Sequence, residues 1–354
     1  MRTFSLWNVC AAIATVAVAG CASSSSSGLA SMGTLPAIRH AHSDVCTPSV
    51  WASSLSTNSV YGFTAASSPP CKTLHGPYAG KVINAPIALA MGLQPQYLYV
   101  ADLNNDRILV FNRQGTYIKE FKTDTGGVLY QPWGVCVSEK GVVGVGDREY
   151  NNNGTPGNAE FFHFNQANNT GPYGTGSGFL ESDQYCAFDD LGNFFVDGAA
   201  LPTFGGGQQI GYIARAHVVV GSHPIKNSGL GLGSYWTGMY SRIDSPVDET
   251  LSVGQAVNTS STETVETWTV GGPAPGPLTF TYLTTYTLSP YPVSSDSLYQ
   301  LAPSAGGING ALYISDFGYS GGYVLVSGAN GGAVATYNPV GDTTGVTTFP
   351  AGQY

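Results

Sequence analysis

Charge is what this sequence most lacks. Asp, Glu, Lys and Arg make up 10% of its 354 residues, against about 25% in ordinary soluble domains. The few charges lean acidic, with 13 Lys and Arg against 22 Asp and Glu and a formal net charge of −9. Lys and Arg stand singly, so no basic patch exists to displace the counterions of a phosphate backbone, and nucleic acid is excluded as a partner. Cysteine is scarce, with 6 residues and no Cys-x-x-Cys pair, which leaves no zinc-site spacing. Long hydrophobic runs are missing too. The longest, near Leu6 to Val18, is too short to span a bilayer comfortably.

That run has a context of its own. Met1-Arg2 supplies one positive charge, Leu6 to Val18 is mostly apolar, and small residues lead into Val18-Ala19-Gly20-Cys21. A basic start, a short apolar stretch and small residues before a cut site predict a secretory signal over residues 1–20, with an uncleaved membrane anchor as the alternative. Val18-Ala19-Gly20-Cys21 resembles the lipobox of bacterial lipoproteins. The resemblance implies cleavage before Cys21, acylation of its thiol, and a membrane partner reached through that lipid. Ala22 and the run Ser23 to Ser27 suit a flexible tether, which we place at residues 21–45. Ala22 is not the Asp that retains such proteins on the inner membrane, so the resemblance favours an extracytoplasmic position at the outer membrane or surface of the cell envelope.

Glycine (47) and tyrosine (21) are abundant, and Thr, Val and Ser recur throughout. Such a composition predicts an all-β domain of many short strands with tight turns over residues 46–354. A repeat organises it. Leu98-Tyr99-Val100-Ala101-Asp102 is a strand, Leu103 to Arg107 a polar turn, and Ile108-Leu109-Val110-Phe111 a second strand. The position of Asp102 recurs at Asp147, Gly198, Gln255 and Asp316, each closing an apolar strand. A further ungapped copy places Val50 to Leu55 over Leu98 to Leu103. That first unit lacks the strand preceding the others, while Gly345 to Phe349 is left over at the far end. The expectation is a six-bladed β-propeller, its ring closed by pairing of the N- and C-terminal strands. Five blades is the alternative.

Asn84 to Leu89, Leu98 to Asp102 and Asn105-Asp106-Arg107-Ile108 resemble the NHL-repeat family, as does Gln131-Pro132-Trp133-Gly134-Val135 in the next unit. The resemblance implies a propeller and no particular activity. Asp102 looks like a functional carboxylate, but a strand-end Asp is expected to cap its own turn. With Cys10 in the signal and Cys21 lipidated, Cys46, Cys71, Cys136 and Cys186 remain, and export permits disulfides among them. Cys136 and Cys186 hold the same position in neighbouring units, so a bridge and a pair of buried thiols are both open. Cys46 with Cys71 would staple the N-terminal half blade.

No motif for chemistry stands up. Gly318-Tyr319-Ser320-Gly321-Gly322 fits the G-x-S-x-G nucleophile pattern, but it joins two strands and no His follows His223. His40 and His42 lie toward the end of the tether, and Gly146 to Gly154 is oxygen-rich without calcium-loop spacing. No catalytic residue, metal ligand or cofactor is assigned. A metal-dependent sugar-lactone hydrolase of the gluconolactonase or regucalcin type is the enzyme alternative, and only it requires a divalent metal at the axis. The preferred reading is a binding or scaffold module for a protein, peptide or glycan. The innermost strands are expected at Ala85 to Met91, Trp133 to Val137, Gln184 to Phe188, Tyr235 to Met239, Ser297 to Leu301 and Val346 to Phe349. The rim candidates are Trp133, Asp183, Tyr185, Tyr235, Trp236 and Tyr299, on or beside these strands, with packing between blades as the alternative role for the rings.

Overall fold

A computed structural model describes residues 46–65, 68–92, 96–122, 129–138, 140–147, 158–163, 175–177, 180–189, 191–200, 208–213, 220–224, 239–242, 250–255, 263–272, 277–288, 298–303, 312–316, 323–326, 333–337 and 343–348. Val45–Tyr354 forms one compact unit. The expected signal, tether, Cys21 and His pair lie outside the described residues, as do Gly318 to Gly322.

Strands follow the repeat. β1 (Val50–Ser54), β2 (Ser59–Phe63) and β3 (Lys72–Leu74) form an antiparallel meander. A second sheet holds β4 (Pro86–Met91), β5 (Tyr97–Asp102), β6 (Arg107–Asn112) and β7 (Tyr117–Phe121). A third holds β8 (Pro132–Val137), β9 (Val142–Asp147), β10 (Asn158–His163) and β11 (Thr175–Ser177). The fourth comprises β12 (Leu180–Phe188), β13 (Phe194–Ala200), β14 (Gln208–Ile213) and β15 (Val220–Pro224). The fifth comprises β16 (Met239–Arg242), β17 (Thr250–Gln255), β18 (Glu263–Gly271) and β19 (Thr279–Leu288). A sixth holds β20 (Leu298–Pro303), β21 (Leu312–Asp316), β22 (Tyr323–Val326) and β23 (Ala333–Tyr337). The last strand, β24 (Thr343–Thr348), returns to pair with β1 and makes the first sheet four-stranded as well.

The leading strands touch one another in the order β24, β4, β8, β12, β16, β20 and back to β24. Sheets therefore stack face to face, and the apolar clusters lie in the gaps between them. Leu98 and Val100 of β5 pack with Trp51 and Val60 of the first sheet. Tyr99 and Ala101, on the opposite face, pack with Val135, Val143 and Val145 of the third. Phe195 and Ile210 meet Leu251 and Trp268 across the gap between the fourth and fifth. A strand buried on both faces rarely admits a charge that is not paired or hydrogen-bonded, which accounts for the charge-poor composition. Each fully buried Leu, Val or Phe in these gaps contributes about 1.5–3 kcal/mol. The architecture, four-stranded sheets repeated with their first strands together, is that of a β-propeller.

Two disulfides are present among the described residues. Cys46–Cys71 ties the segment before β1 to the start of β3, with Cα atoms 5.7 Å apart. Cys136–Cys186 joins the leading strands of the third and fourth sheets, with Cα atoms 5.6 Å apart. The sheets come this close beside Gly144, where a Cβ would sit 2.6 Å from the Phe194 ring.

Candidate functional site

The leading strands share an irregularity at one end. In β4, Pro86 pairs with Asp102 and Leu89 with Val100, so Ile87 and Ala88 together oppose Ala101. Trp133 is the extra residue in β8, Gln184-Tyr185 oppose Asp197 in β12, and Tyr299-Gln300 oppose Ser315 in β20. Thr344 is the extra residue of β24. A bulge bends its strand and re-aims a side chain, and here five leading strands carry one at the same level. Three of the six rim candidates, Trp133, Tyr185 and Tyr299, fall on these bulges. Asp183 pairs with Gly198 immediately before one. Tyr235 and Trp236 lie outside the described residues, and of Tyr299 and Asp183 only the backbone is described.

Burial decides what two of these rings do. Trp133 is 4% exposed and Tyr185 1%, and both belong to the apolar cluster containing Ile87, Ala88 and Val135. Their role is packing between sheets, the alternative to a ligand-facing rim. The Tyr185 hydroxyl also donates to the Thr344 carbonyl at 3.3 Å, from a strand three steps away in either direction around the contact order. Thr344 Oγ1 donates to the Pro86 carbonyl at 2.7 Å and lies 3.1 Å from Ser53 Oγ. One bulge residue thus seals another, closing the floor of the site with a buried hydrogen-bonded cluster.

The surrounding rim is tied down by carboxylates and amides. Asp102 does not cap its own turn as the sequence suggested. No side-chain cap bond reaches the 3-10 turn Leu103–Asn105 that follows it. Instead Oδ1 accepts the Asn84 N–H at 2.7 Å, and Oδ2 accepts from Asn105 Nδ2 at 2.9 Å and Arg107 Nε at 2.6 Å. The pull comes from burial: a fully enclosed carboxylate gains more from backbone donors and a guanidinium than a solvated turn could return. Burial pushes the Asp102 carboxyl above its ordinary value, while Asn84, Asn105 and Arg107 draw it down. Asp147 repeats the bond, accepting the Tyr130 N–H at 2.9 Å. Both donors sit two residues before the proline that opens a leading strand.

A second repeated bond links one sheet to the next. Asn58 Oδ1 accepts the Ala85 N–H at 2.8 Å, and Asp106 Oδ1 accepts the Gln131 N–H at 2.9 Å. All four residues are left-handed, with φ of 50°, 57°, 53° and 53° for Asn58, Ala85, Asp106 and Gln131. Asn and Asp tolerate that conformation, and the same residue then supplies the acceptor. This double use was hidden in the sequence, where Asp106 read only as part of a turn and Asn58 carried no reading. Their identical places in the ungapped copies were the available signal.

No protein-family model matches the chain, and no curated protein matches it. Solved structures do resemble it. A chain of a nidogen/laminin complex is 13% identical, covers 86% of this chain and 98% of its own, and superposes with a TM-score of 0.55. Hydrazine synthase of Kuenenia stuttgartiensis is 15% identical over 83% of this chain and 80% of that one, with a TM-score of 0.51. A gluconolactonase from Xanthomonas campestris is 11% identical over 85% and 88%, with a TM-score of 0.50. At these identities the likeness concerns the fold alone, which is the β-propeller.

Proposed function

We propose that this chain is a lipid-anchored, extracytoplasmic propeller of six blades, its ring closed by β24 on β1, that binds a protein, peptide or glycan at the rim where the leading strands begin. The observation that carries the reading is the bulge repeated at one level in five leading strands. Evenly placed bulges set five leading strands at one level, where buried Ile87, Ala88, Trp133, Tyr185 and Thr344 form the floor, and the bulge positions left for a ligand are Gln184, Tyr299 and Gln300. Stacking and neutral hydrogen bonding are the chemistry of that set. The contact order of the leading strands supports the ring. Two disulfides support an oxidising compartment, in keeping with the lipobox resemblance at Cys21.

An array of envelope glycans and peptides tests the site. The protein should give saturable binding to one ligand class, and Tyr299→Ala should abolish it without shifting the thermal midpoint. The gluconolactonase among the structural neighbours motivates a second reading, metal-dependent lactone hydrolysis. Stoichiometric divalent metal in protein prepared without chelator, together with turnover of a sugar lactone, would replace the binding reading.

A further inference from the structure

The closing strand differs in chemistry from the leading strands beside it. β4 reads Pro-Ile-Ala-Leu-Ala-Met and β8 Pro-Trp-Gly-Val-Cys-Val, whereas β24 reads Thr-Thr-Gly-Val-Thr-Thr, with every residue buried. Val346 is its one large apolar side chain. Hydroxyl and carbonyl bonds supplement its ladder to β1: Ser53 Oγ to Thr344 Oγ1, Ser53 Oγ to the Gly345 carbonyl, Thr344 Oγ1 to the Pro86 carbonyl, and the Tyr185 hydroxyl to the Thr344 carbonyl.

These contacts respond to separation differently from apolar ones. A buried hydroxyl that leaves its partner finds water, so the net loss is small. Exposing Ile87 or Leu89 of β4 forfeits the whole transfer free energy of the side chain. Connectivity adds to the contrast. β4 and β5 are adjacent strands separated by five residues, while Ser53 and Thr344 are 291 residues apart, so the pairing of β24 with β1 is non-local.

We propose that β24 is a releasable strap, which detaches from β1 while the remaining strands stay paired and in doing so unseals the floor of the bulge ring. Release withdraws the carbonyl that holds the Tyr185 hydroxyl and uncovers the side of β4 on which Thr344 rests. Ligand entry through this opening rests on the binding reading above; the detachment itself does not.

Hydrogen exchange followed by mass spectrometry on the full chain, with both disulfides intact, tests it. Amides of 343–348 should exchange at least about tenfold faster than those of 86–91 and 132–137. Amides of 50–54 that bond to β24 should exchange together with it, because they lose the same partner. Ala52 and Val346 face each other across the pair, and the Ala52→Cys/Val346→Cys variant, once oxidised, should slow 343–348 to the rate of 86–91. Tyr185→Phe should speed 343–348 and leave 86–91 unchanged. Exchange of 343–348 in step with 86–91, or slower, overturns the proposal. So does fast exchange that persists in the oxidised variant, since that describes fraying within the strand. None of these readouts requires a ligand, so a failed binding assay would overturn the binding reading and leave the strap standing.

Discussion

Arg107 has no exposed surface, yet its guanidinium is fully engaged. Besides Asp102 it donates to Glu120 Oε2 at 2.8 Å and to the carbonyls of Tyr78, Lys81 and Val82 at 2.8, 3.1 and 3.4 Å. It thereby holds the 78–82 loop against β6. Replacing it with Met leaves a buried carboxylate without its counter-charge, and such a loss costs about 3–5 kcal/mol. The guanidinium unfolding midpoint of Arg107→Met should fall accordingly, with the denaturant slope unchanged. Asp106 offers a finer comparison. Asp106→Ala forces Ala into a left-handed conformation, at about 1–2 kcal/mol, and removes the acceptor for Gln131, at about 1 kcal/mol. Asp106→Gly keeps the backbone free and loses only the bond, so its midpoint should fall less, and Asp106→Asn should be close to neutral. At this scale the sequence was partly legible. Asp102 was visible as a special strand-end carboxylate, but its partners lie 18 residues upstream at Asn84 and five downstream at Arg107, and no local pattern distinguishes tying a loop from capping a turn.

Strand positions were legible wherever both faces of a strand are buried, because such strands read as unbroken apolar runs. The sequence placed innermost strands at Ala85 to Met91 and Trp133 to Val137, and the structure has Pro86–Met91 and Pro132–Val137. It placed the fourth at Gln184 to Phe188, and β12 runs much longer, from Leu180. The fifth was read at Tyr235 to Met239, of which residues 235–238 lie outside the described residues and Met239 opens β16. The leftover strand read as Gly345 to Phe349 is β24, Thr343–Thr348, whose threonines mask a fully buried strand. The bulges escaped detection because a bulge is a relation between two strands, and a single strand's sequence carries no mark of it. The bridge between Cys136 and Cys186 belongs to this scale as well, because it fastens one sheet to the next across a 50-residue separation. Cys136→Ser/Cys186→Ser should lower stability by about 2–5 kcal/mol. Limited proteolysis should then cut first among the strands of the third and fourth sheets.

At the scale of the whole molecule, the proposed anchor and the fold can be separated by experiment. Cys21→Ser in the full chain should abolish labelling by radioactive palmitate and move the protein from the membrane fraction to the soluble one. The disulfides and the unfolding midpoint of that variant should match the unchanged protein; a membrane-bound Cys21→Ser protein would sink the lipoprotein reading. The all-β class and the repeat were legible because charge depletion and recurrence accumulate over hundreds of residues. The ligand was not, because rings at the rim and rings between sheets have the same composition. The pairing of β24 with β1 also sets how such a chain can evolve. Sequence repeat and sheet are out of phase by one strand, so recombination between equivalent points in two units adds or deletes four strands and still delivers a final strand to β1. Gene duplication can therefore change the number of sheets while leaving each of them with four strands.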